Sequence, residues 1–224
     1  DRVVNVGIAE SNMISTAAGM AAMGKIPFTH TFTAFSSRRV CDQVTLSVAY
    51  AGLKVVIMGS DPGITAELNG GTHMSMEDMA IMRNIPGMTV FEPVDSAQLR
   101  LAFPQILAHD GPVYIRLLRR AATQIYDENS PFQLGKGVVL REGGDVSIFA
   151  TGIMTAEALE AADLLQAEGI SAEVINIHTL KPLDRELVLA SAGKTGAVVT
   201  AENHSILNAL GSAVAEVLAE DCPA

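Results

Sequence analysis

Short runs of β-branched and aromatic residues alternate with longer segments of helical period along nearly the whole chain. Val55–Met58, Thr89–Phe91 and Val113–Leu117 are apolar runs flanked by Gly or Pro, which predicts three strands. Arg2–Val6 reads as a further strand at the very start. Ser75–Arg83 carries Met76, Met79 and Met82 at helical spacing, and Ser96–Ala108 carries Leu99, Phe103, Ile106 and Leu107, so both predict helices with one apolar face. The methionine stripe reads as gap-filling core rather than as a cofactor surface.

Ala121–Gly137 breaks the pattern with Asp127-Glu-Asn-Ser-Pro131, a cluster of turn formers that predicts a linker. A second alternating block follows. Asp145–Ala150, Ala172–Ile177 and Gly196–Thr200 read as strands, and Ala156–Gln166, Asp184–Ser191 and Leu207–Glu220 as helices. Strictly alternating strands and helices imply mostly parallel sheets covered on both faces. The expectation is therefore an α/β protein of two three-layer α/β/α domains, over 1–122 and 138–224, joined by a linker at 123–137.

Composition narrows this picture. The 224 residues are 49% hydrophobic and 18% charged, which suits well-buried parallel sheets. A net charge of −10 argues against a nucleic-acid partner, since no basic cluster exceeds Arg116, Arg119 and Arg120. Cys41 and Cys222 lie far apart with no C-x-x-C pair, so neither a disulfide framework nor a zinc site is expected, and a reducing, cytoplasmic setting is the default. Glu10, Lys25 and Arg38-Arg39 interrupt the early apolar stretches, so no membrane span is expected. The chain begins with Asp1, so any targeting segment upstream lies beyond what this sequence can display.

One carboxylate stands out. Glu10 sits inside Val6–Gly24, a segment otherwise small and apolar. Burying an unpaired charge is expensive, so such an acid either has a partner or stays protonated. The plainer alternative is a first-turn acid that complements a helix dipole. Other motifs follow in fixed order: Thr31-Phe-Thr-Ala-Phe35, Gly70-Gly-Thr-His73 and Ile85-Pro-Gly-Met-Thr-Val-Phe-Glu-Pro93. Together with Val6-Gly-Ile-Ala-Glu10 they resemble the transketolase family of thiamine-diphosphate enzymes. The resemblance runs from Val4 to about Ala215 and corresponds to the pyrimidine-binding domain followed by the transketolase C-terminal domain. It implies that the first part of the former and the last elements of the latter lie outside this chain.

The resemblance implies roles residue by residue. Glu10 matches the glutamate that protonates N1′ of the cofactor's aminopyrimidine, with Ile8, Ala9 and Met13 as its apolar surroundings. Phe32 and Phe35 match the aromatic pair lining the ring's pocket, although as isolated residues they would read as core phenylalanines. His73, after a permissive Gly-Gly turn, would face the thiazolium and the sugar hydroxyls. Glu10 and His73 are thus the catalytic candidates. His73, Asn69, Asp61 and Arg119 are the substrate-binding candidates. Arg119 matches an arginine that grips a sugar phosphate through its bidentate fork, with Arg116 and Arg120 as adjacent competitors.

Three positions depart from the family. Asn69 stands where many transketolases carry an Asp that reads a sugar hydroxyl, and Asp61 where phosphate-sugar enzymes often carry a histidine. Both weaken the case for an ordinary phosphorylated ketose. Arg38 replaces an aromatic, giving a more polar outer pocket or an answer to an acid on a partner subunit. His30, His109, His178 and His204 read as structural or exposed.

The family's Gly-Asp-Gly motif, which holds the diphosphate and its magnesium (or calcium), does not occur here; Gly144-Asp145-Val146 opens a strand instead. The resemblance therefore implies half a cofactor site, no metal ligand in this chain, and an N-terminal subunit or domain as partner, in a homodimer or heterotetramer. The expected activity is transfer of a two-carbon ketol unit from a ketose to an aldose. The alternatives are another thiamine-diphosphate enzyme half (a deoxyxylulose-phosphate synthase or a 2-oxo-acid dehydrogenase β subunit) and a noncatalytic partner-binding subunit.

Overall fold

A computed structural model describes residues 2–221. The β-rich runs pair into two sheets. In the first, β1 (Phe28–Phe32), β2 (Val56–Ser60), β4 (Val113–Leu117) and β3 (Thr89–Phe91) lie side by side in parallel. The second contains β6 (Val146–Ala150) between β7 (Ala172–Asn176) and β9 (Val198–Ala201), all parallel, with β5 (Val138–Arg141) antiparallel on the β7 edge. Helices α1 (Glu10–Ala22), α3 (Asp78–Asn84) and α4 (Ser96–Ala108) accompany the first sheet. Helices α5 (Met154–Ala167), α6 (Arg185–Thr195) and α7 (Leu210–Asp221) accompany the second, with the short α2 (Thr33–Ser36) completing the set. The fold is α/β, as the alternation predicts. Met79 and Met82 are fully buried core, and Met76 is half-buried.

The structure corrects the reading of the start. Arg2–Val6 forms no strand, and Val3 and Val4 are 88% and 67% exposed. An apolar run becomes a strand only where a neighbour completes its ladder, and among the described residues none pairs with it. The first helix and several short elements escape the sequence pattern, and four cases show why. Phe28-Thr-His-Thr-Phe32 alternates with polar residues because it is an edge strand. Gln43–Tyr50 is a π-helix packed on α1. The four residues of β5 follow directly on the expected linker, in a stretch to which the pattern assigns no element. The fourth, β8 (Thr179–Lys181), follows β7 after two residues yet joins the other sheet, antiparallel to β3.

The linker is ordered by packing rather than by its own ladder. Asp95 caps α4 by accepting from the Gln98 amide through Oδ1 at 2.8 Å, and its Oδ2 accepts from the amides of Ile125 and Tyr126 at 2.7 and 2.8 Å. Tyr126 is buried, and its hydroxyl reaches Asn176 Oδ1 at 2.9 Å on β7. Cys41 is a free thiol, and Cys222 lies outside the described residues. Among the described residues no helix is long and apolar enough to cross a membrane, and no group of His, Cys, Asp and Glu is placed to hold a metal.

The two sheets meet over a buried charge. Arg116, on β4, has no exposed surface. Its guanidinium donates to Asp78 Oδ2 at 2.8 Å and Oδ1 at 3.1 Å, to Glu92 Oε1 at 2.6 Å, and to the Asn203 carbonyl at 2.8 Å. Glu92 in turn accepts from Thr151 at 3.1 Å, and Asp78 from the Tyr114 hydroxyl at 2.8 Å. Burial opposes the charge on Arg116, but Asp78 and then Glu92 outweigh it and raise its pKa. Burial and then Asp78 push the Tyr114 phenol well up, so it remains a donor. Arg116, read from the sequence as a rival of Arg119, is thus a seam between the halves.

Breaking such a pair leaves buried carboxylates unpaired, which costs about 3–5 kcal/mol. Arg116→Met should lower stability by that amount in urea unfolding; a loss below about 1 kcal/mol would show that the seam is not what joins the sheets. A second prediction concerns acid. Burial holds the His178 imidazole down at about 4 against an ordinary 6.5, with Asp184 opposing. The unfolded chain takes its proton near 6.5 and the folded chain only near 4, so the stabilisation is complete above the higher value and is lost as pH falls between them. Melting temperature measured across this window should fall less steeply in His178→Phe, which keeps the aromatic stack on Phe132. The difference corresponds to about 3 kcal/mol at most.

Candidate functional site

Three of the parallel strands end together, and the candidate residues follow those ends. Phe32 closes β1, Asp61 follows β2, and Arg119 lies two residues beyond β4. In open α/β sheets, ligands bind outside the carboxyl ends of the strands. Asp61 takes φ +57°, a left-handed conformation that a non-glycine residue holds only where its surroundings enforce it. Here Thr33 Oγ1 donates to the Asp61 carbonyl at 3.1 Å.

A loop carries His73 over the two phenylalanines. Gly70, at φ +70°, lets the chain double back, so that the His73 and Met74 amides both donate to its carbonyl, at 3.0 and 3.1 Å. The imidazole then lies edge-on between Phe32 and Phe35, with ring centroids 5.4 and 5.0 Å away. Phe32 and Phe35 themselves meet edge to face at 6.0 Å. Arg38 holds this loop down by donating to the Thr72 carbonyl at 2.7 Å and to Glu77 Oε1 at 2.9 Å. The acid that Arg38 answers is therefore in its own chain. Nδ1 of His73 is engaged by Thr72 Oγ1 at 2.9 Å, which leaves Nε2 for other partners.

Glu10 opens α1 as its first-turn acid, and its side chain is 11% exposed. Its surroundings differ from the expected apolar trio: Ile8 is 95% exposed and cannot desolvate it. The carboxylate is met by Arg39, whose Nη1 lies 3.0 Å from both oxygens. The Arg39 guanidinium also stacks on Phe35, 3.8 Å from the ring centroid. At the far end, the Arg119 guanidinium is 5.6 Å from the Phe32 ring and 3.0 Å from Asp61 Oδ2. Glu10, Arg39, Phe35, His73, Phe32, Arg119 and Asp61 thus form one continuous line.

Asp61 Oδ2 is buried, and although Arg119 is close in distance it makes no hydrogen bond of good geometry there. That oxygen is an acceptor without a donor. Asn69 is exposed at the end of the 3₁₀ turn Gly63–Asn69, four residues before His73. Arg39 was missed from the sequence because its adjacency to Arg38 hid it, and only the packing of the turn Arg38–Val40 against α1 separates the two.

Residues 1–124 match the family described as transketolase, pyrimidine binding domain, and residues 135–224 match transketolase, C-terminal domain. The chain belongs to the transketolase family. It is 75% identical to a protein of Clostridium sp. (strain MSTE9) described as "6-deoxy-6-sulfo-D-fructose transketolase subunit SqwH", over 99% of this chain and 69% of that one. A solved structure described as "Split gene transketolase, inactive beta4 tetramer" superposes with a TM-score of 0.92 at 48% identity, over 98% of this chain and 71% of that one. A 1-deoxy-D-xylulose-5-phosphate synthase of Geobacter sulfurreducens is more distant, at 40% identity over 99% of this chain and 35% of that protein. Similarity thus favours the transketolase-subunit reading over the synthase.

Proposed function

We propose that this chain is the pyrimidine-side subunit of a split transketolase, transferring a two-carbon ketol unit between sugars only when a partner subunit supplies the diphosphate and magnesium site. The observation that carries this reading is the juxtaposition of Glu10, Phe35, His73 and Phe32 in one line at the strand ends. The residues fit the ring of thiamine diphosphate on this structure's own terms. A planar cationic group, the Arg39 guanidinium, already stacks on Phe35 while donating to Glu10.

The bound cofactor supplies a nucleophilic carbon that takes up and releases the ketol fragment. The chain's own residues serve that carbon in distinct ways. Glu10 holds a proton on its carboxyl for the ring nitrogen, and donates only while it remains the acid. Phe32 and Phe35 exclude water and fix the plane of the ring. His73, with Nδ1 engaged, presents Nε2 to a sugar hydroxyl and can pass a proton there. Asp61 offers Oδ2, which accepts no hydrogen bond of good geometry, to a second hydroxyl, and Asn69 marks the outer rim.

The charge balance at the rim supports an unusual donor. Arg119 carries one positive charge and Asp61 offsets it. With its charge offset in this way, Arg119 offers a doubly charged phosphate little net attraction, and the 75% identical relative is named for a sulfo-sugar. The neighbour described as an inactive β4 tetramer supports the need for a second subunit.

Two experiments test this reading. Calorimetric titration of the purified chain with thiamine diphosphate and magnesium should give no micromolar binding, and no ketol transfer should occur without a partner; either one would sink the split-enzyme reading. In the reconstituted complex, Glu10→Gln should slow hydrogen–deuterium exchange at the cofactor's C2 by about 10² to 10⁴ with little change in stability. Exchange at the wild-type rate would leave Glu10 as a helix-end acid only.

A further inference from the structure

Arg39 makes the two contacts that the preceding reading assigns to the cofactor's ring. Its guanidinium carbon lies 3.8 Å above the Phe35 centroid, one stacking distance, and its Nη1 lies 3.0 Å from the Glu10 carboxylate. A guanidinium and an aminopyrimidine are alike in the ways that matter here. Both are planar and delocalised, and both present nitrogen at the edge. They cannot share that face of Phe35.

From this, and resting on the proposed function, we infer that Arg39 is a positioning residue that occupies the aminopyrimidine's place until the cofactor displaces it. The pair it makes is also the wrong one for activation. Facing Arg39, Glu10 is an acceptor, whereas a ring nitrogen requires the acid as donor. The Arg39–Glu10 contact and the activating contact exclude each other, so loading the ring and freeing Glu10 become one event.

The local structure says which member of the pair moves. Glu10 is anchored in the first turn of α1, with its side chain 11% exposed, whereas the side chain of Arg39 is 45% exposed. Arg38 is tied down by Glu77 and the Thr72 carbonyl, and among the described residues Arg39 donates only to Glu10. Arg39 can therefore swing to solvent without disturbing the His73 loop. Its withdrawal leaves a flat aromatic face and one carboxyl, which is what the ring requires. A cation–π contact and an exposed ion pair together are worth about one tenfold step in an equilibrium constant, so displacing them weakens cofactor affinity by about that factor.

The test uses this chain assembled with its diphosphate-binding partner, as wild type, Arg39→Gln and Arg39→Lys. Thiamine diphosphate is titrated by calorimetry in saturating magnesium, which reads binding independently of turnover. Arg39→Gln should bind about tenfold more tightly than wild type, and Arg39→Lys, which keeps the charge but cannot lie flat on Phe35, should fall between them. Unchanged or weaker binding in Arg39→Gln, with wild type binding normally, overturns the inference alone. Absence of binding in all three complexes overturns it together with the function on which it rests.

Discussion

A buried guanidinium organises this molecule. Arg116 cannot be removed from water without compensation, and its compensation comes from three directions: Asp78 at the start of α3, Glu92 just past β3, and the Asn203 carbonyl beyond β9. Each partner is itself fixed by this requirement, because a buried carboxylate without its cation is as costly as the reverse. The result is that the first sheet's strand ends and the second half of the chain are held in one register. Gln98, Asn176 and Tyr126 extend the same logic along the seam, each buried polar group finding its partner in the other half. Strand β8 completes it by leaving its own half to pair with β3.

The candidate site is built on the rim of that rigid frame. Phe32, Asp61 and Arg119 extend the ends of three neighbouring strands, so their spacing is set by the ladder rather than by loop conformation. The loop bearing His73 needs extra restraint, and receives it from the Gly70 turn on one side and Arg38 on the other. The electrostatics differ sharply between frame and rim. Arg116 is fully committed to buried acids, while Arg39 and Arg119 are about half exposed and each bridges an aromatic ring and one carboxylate. Charges of the first kind define a structure, and charges of the second kind can be exchanged for a ligand.

The alternation of strands and helices was legible because it follows from periodicity, and α4, β3 and β4 fall on the residues that the pattern marks. The family resemblance likewise named Phe32, Phe35, His73, Asp61 and Arg119, which lie near one another beside the strand ends. The opening strand was misread because Val3 and Val4 carry the right side chains without a neighbouring ladder. Strand β8 was missed because three residues hold too little pattern, and its partner lies some ninety positions away. Ile8 was taken as a wall for Glu10 on adjacency alone, and adjacency says nothing about which way a side chain points.

By itself, the sequence determined the class of fold, most of its longer strands and helices, and the family to which its motifs belong. These depend on local period and on residue types at fixed spacing, which a linear chain carries in full. Only the tertiary structure decided which arginine does what. Arg116, Arg119 and Arg120 lie within five positions, as do Arg38 and Arg39 within two, and nothing in their order ranks them. Depth below the surface and the arrival of partners from distant segments rank them. Arg116 points inward from a central strand to meet Asp78 and Glu92, Arg119 lies past the strand's end beside Asp61, and Arg39 faces Glu10 because a short turn packs against α1. Pairing and burial depend on three-dimensional neighbours, and those exist only once the chain has folded.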